Sequence, residues 1–360
     1  MRNQDVATVG LFRPGGHPLG CHRVLRPEGV LPQAADCLDV SLPLYQNEIL
    51  LKVEGLQLDS ASFRQLKEKY SADSEAIARS IMDIVAQRGK MQNPVTGSGG
   101  MLWGTVQELG PDAPQNFLPG DRVASLISLT LTPLHLEKIH HLSLKSARVA
   151  ASGHAILFAS SSAAKIPDDL PESSALAVFD VCGAPAWVKK LVHPGDKVLI
   201  LGAGKSGLLS AFAAGDITGK DHVWLSDQRE EALAWCRDQG GFAKVVLADA
   251  SRPWDFLQSL EAAKAPGFDL VVNCSNALET ETSCILATKP KGRILFFNMA
   301  TQFSRAVLSA EGLGREVEMT MGNGYAEGHW AFALDLVRRH HALKDWFNLA
   351  SESSVSKEVL

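Results

Sequence analysis

Residues 197–212 read KVLILGAGKSGLLSAF. After Lys197, residues 198–201 (VLIL) are apolar, the pattern of a buried strand, and they run into Gly202-x-Gly204-x-x-Gly207 just before a helical pattern begins. In such a turn the first glycine allows a sharp reversal and the second lets backbone approach a pyrophosphate. The third lets helix and strand pack closely, while the helix N-terminus offers free N–H groups and a positive dipole end. The next strand-like run ends at Asp227, 20 residues after Gly207, where a carboxylate accepts hydrogen bonds from an adenosine ribose. The spacing predicts a dinucleotide site at Gly202, Gly204, Lys205, Ser206, Gly207, Asp227 and Arg229, with Cys274, Asn298 and Met299 after later strands. Asp227 repels a 2′-phosphate and favours NAD, whereas Arg229 two residues on would accommodate one, so NADP stays open. Lys205 either pairs with the pyrophosphate or is a solvated side chain.

Working outward, residues 222–226, 244–247, 268–273 and 293–298 are further short apolar runs. Helical stretches separate them, one of which (229–239) is closed by Gly240-Gly241. Strands alternating with helices mean crossover connections and a doubly wound parallel sheet. Residues 1–160 have a different texture of short strands and dense Gly/Pro turns. Residues 48–58 (EILLKVEGLQL) alternate like a half-buried strand, and 64–90 are charged and amphipathic, predicting one or two inserted helices. His135, Glu137, His140 and His141 read as the polar side of a surface helix, and His22 and His154 as structural histidines or a proton shuttle. The last ten residues are polar and read as a frayed tail.

The chain has 360 residues, 46% apolar and 21% charged, with a net charge of −5. That composition excludes a disordered or fibrous protein and supplies no basic field to hold nucleic acid or an anionic membrane. No apolar run reaches the roughly 18 residues that cross a bilayer, and the first residues lack a secretory pattern, so a cytoplasmic location is expected. Six scattered cysteines without a CxxC pair read as reduced thiols.

Three longer segments carry a resemblance: GSGGMLWGTVQELGPDAPQNFLPGDRV (97–123), KIPDDLPESSAL (165–176) and HPGDKVLILGAGKSGLL (193–209). They resemble the medium-chain dehydrogenase/reductase superfamily. The resemblance implies a β-rich GroES-like catalytic domain over 1–167, a Rossmann domain over 168–322, and a return to the catalytic domain over 323–360. It also implies a homodimer. The zinc ligands of that superfamily are missing: residues 58–62 read LDSAS and the "GHE" turn reads Gly97-Ser98-Gly99. Tetrahedral zinc needs several N or S ligands at suitable spacing, so a zinc-free enzyme is expected. Within the superfamily, residues 20–35, 58–63 and 89–102 look like the L-erythro-3,5-diaminohexanoate dehydrogenases of bacterial lysine fermentation.

That resemblance implies oxidative deamination of a small diamino acid. Hydride leaves C3 only after the C3 ammonium loses a proton, so a base is needed, and so are groups that match a carboxylate and a second ammonium. Asp59 is the first candidate base, since it falls where the zinc branch places its first ligand; its alternative role is to cap the next helix. Asp180 is the second candidate acid or a buried structural carboxylate. Lys90 suits the substrate carboxylate or is a solvated helix end. Ser60, Ser62, Asn93, Thr96 and Ser98 are candidate substrate contacts, with caps and surface hydroxyls as the alternative for the serines. The competing functions are a zinc-free quinone or enone reductase, and a non-catalytic nicotinamide-binding redox sensor.

Overall fold

The computed structural model describes residues 12–114, 116–239 and 241–355. The chain divides into two compact units, Met1–Asp168 and Asp169–Leu360.

In the first unit, β1 (Val24–Arg26) and β2 (Cys37–Leu38) form a small antiparallel ribbon. The main sheet has six strands: β3 (Ile49–Leu58), β4 (Gly100–Leu109), β5 (Arg122–Ser125), β6 (Leu134–Leu142), β7 (Arg148–Leu157) and β8 (Ala163–Lys165). Their order is β6-β7-β3-β4-β5-β8, antiparallel at every step. Sandwiched between β7 and β4, β3 is buried along most of its length, more than its alternation predicts. The charged segment after it forms two helices, α1 (Ser60–Lys69) and α2 (Ser74–Arg88). Asp73 caps α2 through the amides of Glu75 and Ala76. Ile77, Ile81 and Val85, at i, i+4 and i+8, bury one stripe of α2 in the same core as Leu51, Leu56 and Leu102.

One expectation here is corrected. His135, Glu137, His140 and His141 lie on strand β6, not on a helix. The pairing of β6 with β7 shifts register twice, between Leu136 and Lys138 and between Ile139 and His141. Each shift adds a residue, so the buried Leu134, Leu136 and Leu142 and half-buried Ile139 fall at spacings of two and three that mimic a helical face.

The second unit holds α3 (Glu172–Phe179), α4 (Gly183–Leu191), β9 (Val198–Leu201), α5 (Lys205–Thr218), β10 (Val223–Asp227), α6 (Glu230–Gln239), β11 (Lys244–Leu247), α7 (Pro253–Ala262), β12 (Phe268–Asn273), α8 (Glu281–Ala287), β13 (Thr288–Phe296), α9 (Phe303–Gly312), β14 (Glu318–Met321), α10 (His329–Arg339) and α11 (His341–Val355). Its sheet has the order β11-β10-β9-β12-β13-β14, all parallel. The order reverses beside β9, the strand that carries the glycine loop, and this is the doubly wound Rossmann arrangement. Gly240 and residues 356–360 of the polar tail lie outside the described residues. Residues 323–355, expected to return to the β-rich domain, instead belong to the second unit. There α10 packs against α3, α4 and α5, and α11 against α3. Their buried Ala333, Leu334, Val337, Leu343 and Phe347 need an apolar partner, and Ser174 Oγ donates to Asn348 Oδ1 at 2.9 Å. No described helix is long and apolar enough to cross a membrane.

A buried ion pair organises the start of the first unit. Arg23 and Glu48 are both fully buried and meet through Nε–Oε1 at 2.9 Å and Nη2–Oε2 at 2.6 Å. His22 Nδ1 accepts from the His17 amide at 2.9 Å, which assigns the ring proton to Nε2, where it donates to Glu48 Oε1 at 2.8 Å. His22 therefore belongs to this network, and His154 Nε2 pairs with the Val40 carbonyl at 3.0 Å. Burial pushes the Glu48 carboxyl up, but hydrogen bonds from Arg23, His22 and the Tyr45 amide outweigh it and hold it below its ordinary 4.5. A carboxylate lowered in this way stabilises the fold fully above its unfolded value, and the contribution is lost as pH falls through the folded value. Glu48→Gln strands a buried guanidinium and should cost about 3–5 kcal/mol near neutral pH. Denaturant unfolding at a series of pH values checks this: the gap from the parent should narrow in acid, and a small, pH-independent gap would contradict it.

Candidate active site

The glycine loop joins β9 to α5. Gly202 has φ 94°, a left-handed turn, and its amide donates to the Ser226 carbonyl at 2.8 Å, tying the loop to β10. A Cβ added at Gly207 would sit 1.7 Å from the Gly202 carbonyl oxygen, so only glycine lets α5 lie this close to the end of β9. A Cβ at Gly204 would meet nothing within 4 Å, which leaves open space over the loop. Gly204 starts α5 without any side-chain cap, so the first-turn amides of Lys205, Ser206 and Gly207 receive no side-chain acceptor there. An open, uncapped cradle of this kind suits a diphosphate.

Asp227 ends β10 and does more than the spacing predicts. Its Oδ2 accepts from the Ala203 amide at 2.9 Å, which pins the loop from the side. Its Oδ1 accepts from the Arg229 amide at 2.9 Å and from Arg229 Nε at 3.2 Å, and Arg229 Nη2 reaches Oδ2 at 3.3 Å. Burial pushes this carboxyl up, but the bonds from Arg229 and Ala203 prevail and keep it below its ordinary range, hence ionised. Arg229 occupies the same oxygens that ribose hydroxyls would use. A hollow beside the loop is lined by Gly202, Ser226, Asp227, Gln228, Asp249 and Ser275, at the carboxyl ends of β9 to β12. Gln228, Asp249 and Ser275 are absent from the sequence prediction, although the strand-end rule for open α/β sheets was a signal for them. These residues fit an adenosine dinucleotide: the loop for the diphosphate, Asp227 and the hollow for the ribose end.

The remaining predicted cofactor residues divide. Lys205 Nζ donates to Asp180 Oδ2 at 2.5 Å, so these two candidates meet each other. Asp180 is not a buried structural carboxylate; it is partly exposed at the end of α3. Cys274 faces Ser210 across 3.7 Å, and burial pushes its thiol up to about 12, so it is no thiolate nucleophile. Asn298 closes its own turn, accepting from the amides of Ala300 and Thr301, and Met299 is 88% exposed.

In the first unit, four of the predicted residues form one cluster. Leu58 pairs with Gly100, which sets the end of β3 beside the turn before β4. Asp59 caps α1, and its Oδ1 accepts from the amides of Ala61 and Ser62 at 3.0 and 2.9 Å and from Ser98 Oγ at 2.9 Å. Its Oδ2 is enclosed and has no donor among the described residues. The capping role is thus real, and it leaves one carboxylate oxygen unused. Ser62 Oγ lies 2.9 Å from Thr96 Oγ1 and 2.8 Å from Ser98 Oγ, and Thr96 and Ser98 lie 2.9 Å apart. Of the three hydroxyls, only that of Ser98 reaches Asp59; Ser62 and Thr96 back it from behind. Asn93 builds the turn that carries Thr96 and Ser98: Nδ2 donates to Gln65 Oε1, Oδ1 accepts from the Val95 amide, and its carbonyl accepts from the Gly97 amide. It is 1% exposed and shapes the turn rather than presenting itself.

Two candidates stand apart. Ser60 is exposed on the first turn of α1. Lys90 is not a solvated helix end but fully buried, with Nζ donating to the Pro32 and Gln33 carbonyls at 2.7 and 3.3 Å. Burial first, and Arg88 second, push its ammonium down to about 8. Those carbonyls tie down the loop before β2 and take two of the three N–H donors of the ammonium. No group of three or more His, Cys, Asp or Glu that could hold a metal ion is gathered among the described residues.

An antiparallel β-rich unit followed by a Rossmann unit is the fold of the medium-chain dehydrogenases/reductases. Solved structures of this kind are similar: AibC (TM-score 0.52, 18% identity, 87% of this chain and 86% of that one) and galactitol-1-phosphate dehydrogenase from Escherichia coli (TM-score 0.52, 15% identity, 87% of each). Residues 22–167 match the family model described as the L-erythro-3,5-diaminohexanoate dehydrogenase N-terminal domain. The chain is 46% identical over 340 residues to the L-erythro-3,5-diaminohexanoate dehydrogenase of Fusobacterium nucleatum subsp. nucleatum. It is 43% identical over 337 residues to that of Acetoanaerobium sticklandii, and each match covers 92% of this chain and 98% of the relative. The chain belongs to the L-erythro-3,5-diaminohexanoate dehydrogenase family.

Removing the Asp227 carboxylate should cost charge-assisted hydrogen bonds and loosen the loop at Ala203. Asp227→Ala is expected to weaken NADH binding by about tenfold to a hundredfold, corresponding to about 1.5–3 kcal/mol. Fluorescence titration with NADH measures it, and unchanged affinity would remove Asp227 from the site.

Proposed function

We propose that the protein catalyses the oxidative deamination of L-erythro-3,5-diaminohexanoate to 5-amino-3-oxohexanoate and ammonia, in bacterial lysine fermentation. When bound, the nicotinamide dinucleotide supplies the two-electron acceptor. Gly202, Gly204 and Gly207 would hold its diphosphate, and Asp227 its adenosine ribose. The ionised Asp227 favours NAD, and Arg229 leaves NADP usable if its guanidinium turns from Asp227 to a 2′-phosphate.

Asp59 carries the reading. Its Oδ1 is saturated and its Oδ2 is enclosed without a donor, so an ammonium N–H complements Oδ2 once the side chains that enclose it move aside. Asp59 takes the proton from the C3 ammonium, and the freed lone pair drives out hydride as the C3–H bond breaks. Water then adds to the iminium and ammonia departs, which again needs proton transfer. Ser98 holds Asp59 in position through Oδ1, Ser62 and Thr96 hold Ser98, and the proton taken up resides on Oδ2. Side chains carry the protons without zinc, a reading supported by the donor count among the described residues. A homodimer in the cytoplasm completes the proposal. Its support is the edge strand β14, with Phe303 and Leu308 of α9 exposed, and six unpaired thiols.

Asp59→Asn keeps a good helix cap but cannot accept the proton. With the diamino acid and NAD, turnover should fall by about 10²–10⁴-fold while NADH affinity stays within about twofold. Reduced nicotinamide and released ammonia are followed together. Unchanged turnover would exclude Asp59 as the base.

A further inference from the structure

We infer that Lys205 exchanges partners on dinucleotide binding, leaving Asp180 for the diphosphate and releasing a carboxylate beside the glycine loop. The inference rests on the dinucleotide reading of that loop. Lys205 is the first residue of α5, directly after Gly204, in the part of the loop left open for an anion. Asp180 lies at the C-terminal end of α3. Their side chains meet at 2.5 Å, and each is the other's sole hydrogen-bond partner among the described residues. Both remain in touch with water, with side-chain exposures of 36% and 24%.

A half-exposed single ion pair is held weakly, because water screens it and both side chains lose freedom. A diphosphate on the same loop offers Lys205 two negative charges and stronger charge-assisted hydrogen bonds. The exchange therefore runs toward the dinucleotide. In the free protein Lys205 is committed to Asp180. In the loaded protein Asp180 has lost its cation and becomes available to another, such as an ammonium of the diamino acid. A carboxylate that is unmasked only after the dinucleotide binds imposes an order: dinucleotide first, amine second.

The test uses ADP-ribose, which has the diphosphate and no nicotinamide, in calorimetric titrations of the full chain. Asp180→Asn should tighten binding by about twofold to fivefold, because Lys205 no longer has to be withdrawn. Lys205→Gln should weaken it by about tenfold or more. The deciding variant is the double substitution: in the Lys205→Gln background, Asp180→Asn should bring no gain. If the gain persists there, simple charge repulsion explains it and no exchange occurs. If Asp180→Asn weakens binding, Asp180 is holding Lys205 in place for the ligand, and the inference is overturned. Failure of the folded parent protein to bind ADP-ribose would instead overturn the dinucleotide reading itself.

Discussion

The second unit is organised around a contact that tolerates no side chain. Gly207 lies so close to the Gly202 carbonyl that an added Cβ would fall at 1.7 Å, well inside any permitted approach. That closeness seats α5 on the end of β9. The strand order reverses at the same strand, so the uncapped helix terminus opens at the crevice. Asp227 holds the loop through the Ala203 amide, and in the proposed reading the same carboxylate receives a ribose. Binding and architecture share these atoms, so no part of the loop varies independently.

The first unit treats its polar groups differently. Arg23 and Glu48 are buried and fully engaged, which fixes the entry of the chain. Lys90 likewise spends its ammonium on two carbonyls. Asp59 differs in keeping one oxygen without a donor, while its other oxygen is held by Ser98 and two amides. Buried polar atoms normally find partners, so an unused acceptor points to something that arrives from outside.

Most of the Rossmann unit was legible in the sequence, because β9, β10, β11 and β12 are apolar runs bounded by turns and the glycine spacing is specific. Asp59, Ser62, Thr96 and Ser98 stood out one by one, within two segments that carry the family resemblance; that they share one hydrogen-bonded cluster depends on the pairing of β3 with β4. Strand β6 was not legible, because two register shifts turn its alternation into helical spacing. Lys90 was misread because its partners lie 57 and 58 positions away and leave no local signal. The Asp180–Lys205 pair and the docking of α10 and α11 on the second unit depend on tertiary packing in the same way. Gln228, Asp249 and Ser275, which line the hollow beside the loop, lie just beyond strand ends in turns that carry no sequence pattern of their own.

The central claim is that side chains, not a bound metal, manage the protons while a carbon bearing nitrogen is oxidised. Its most direct test is turnover of L-erythro-3,5-diaminohexanoate by protein freed of metal with a chelator, with reduced dinucleotide and ammonia measured in the same reaction. The account predicts full activity and equal amounts of the two products. Activity that vanishes and returns only with added zinc, or reduced dinucleotide formed without ammonia, would contradict it.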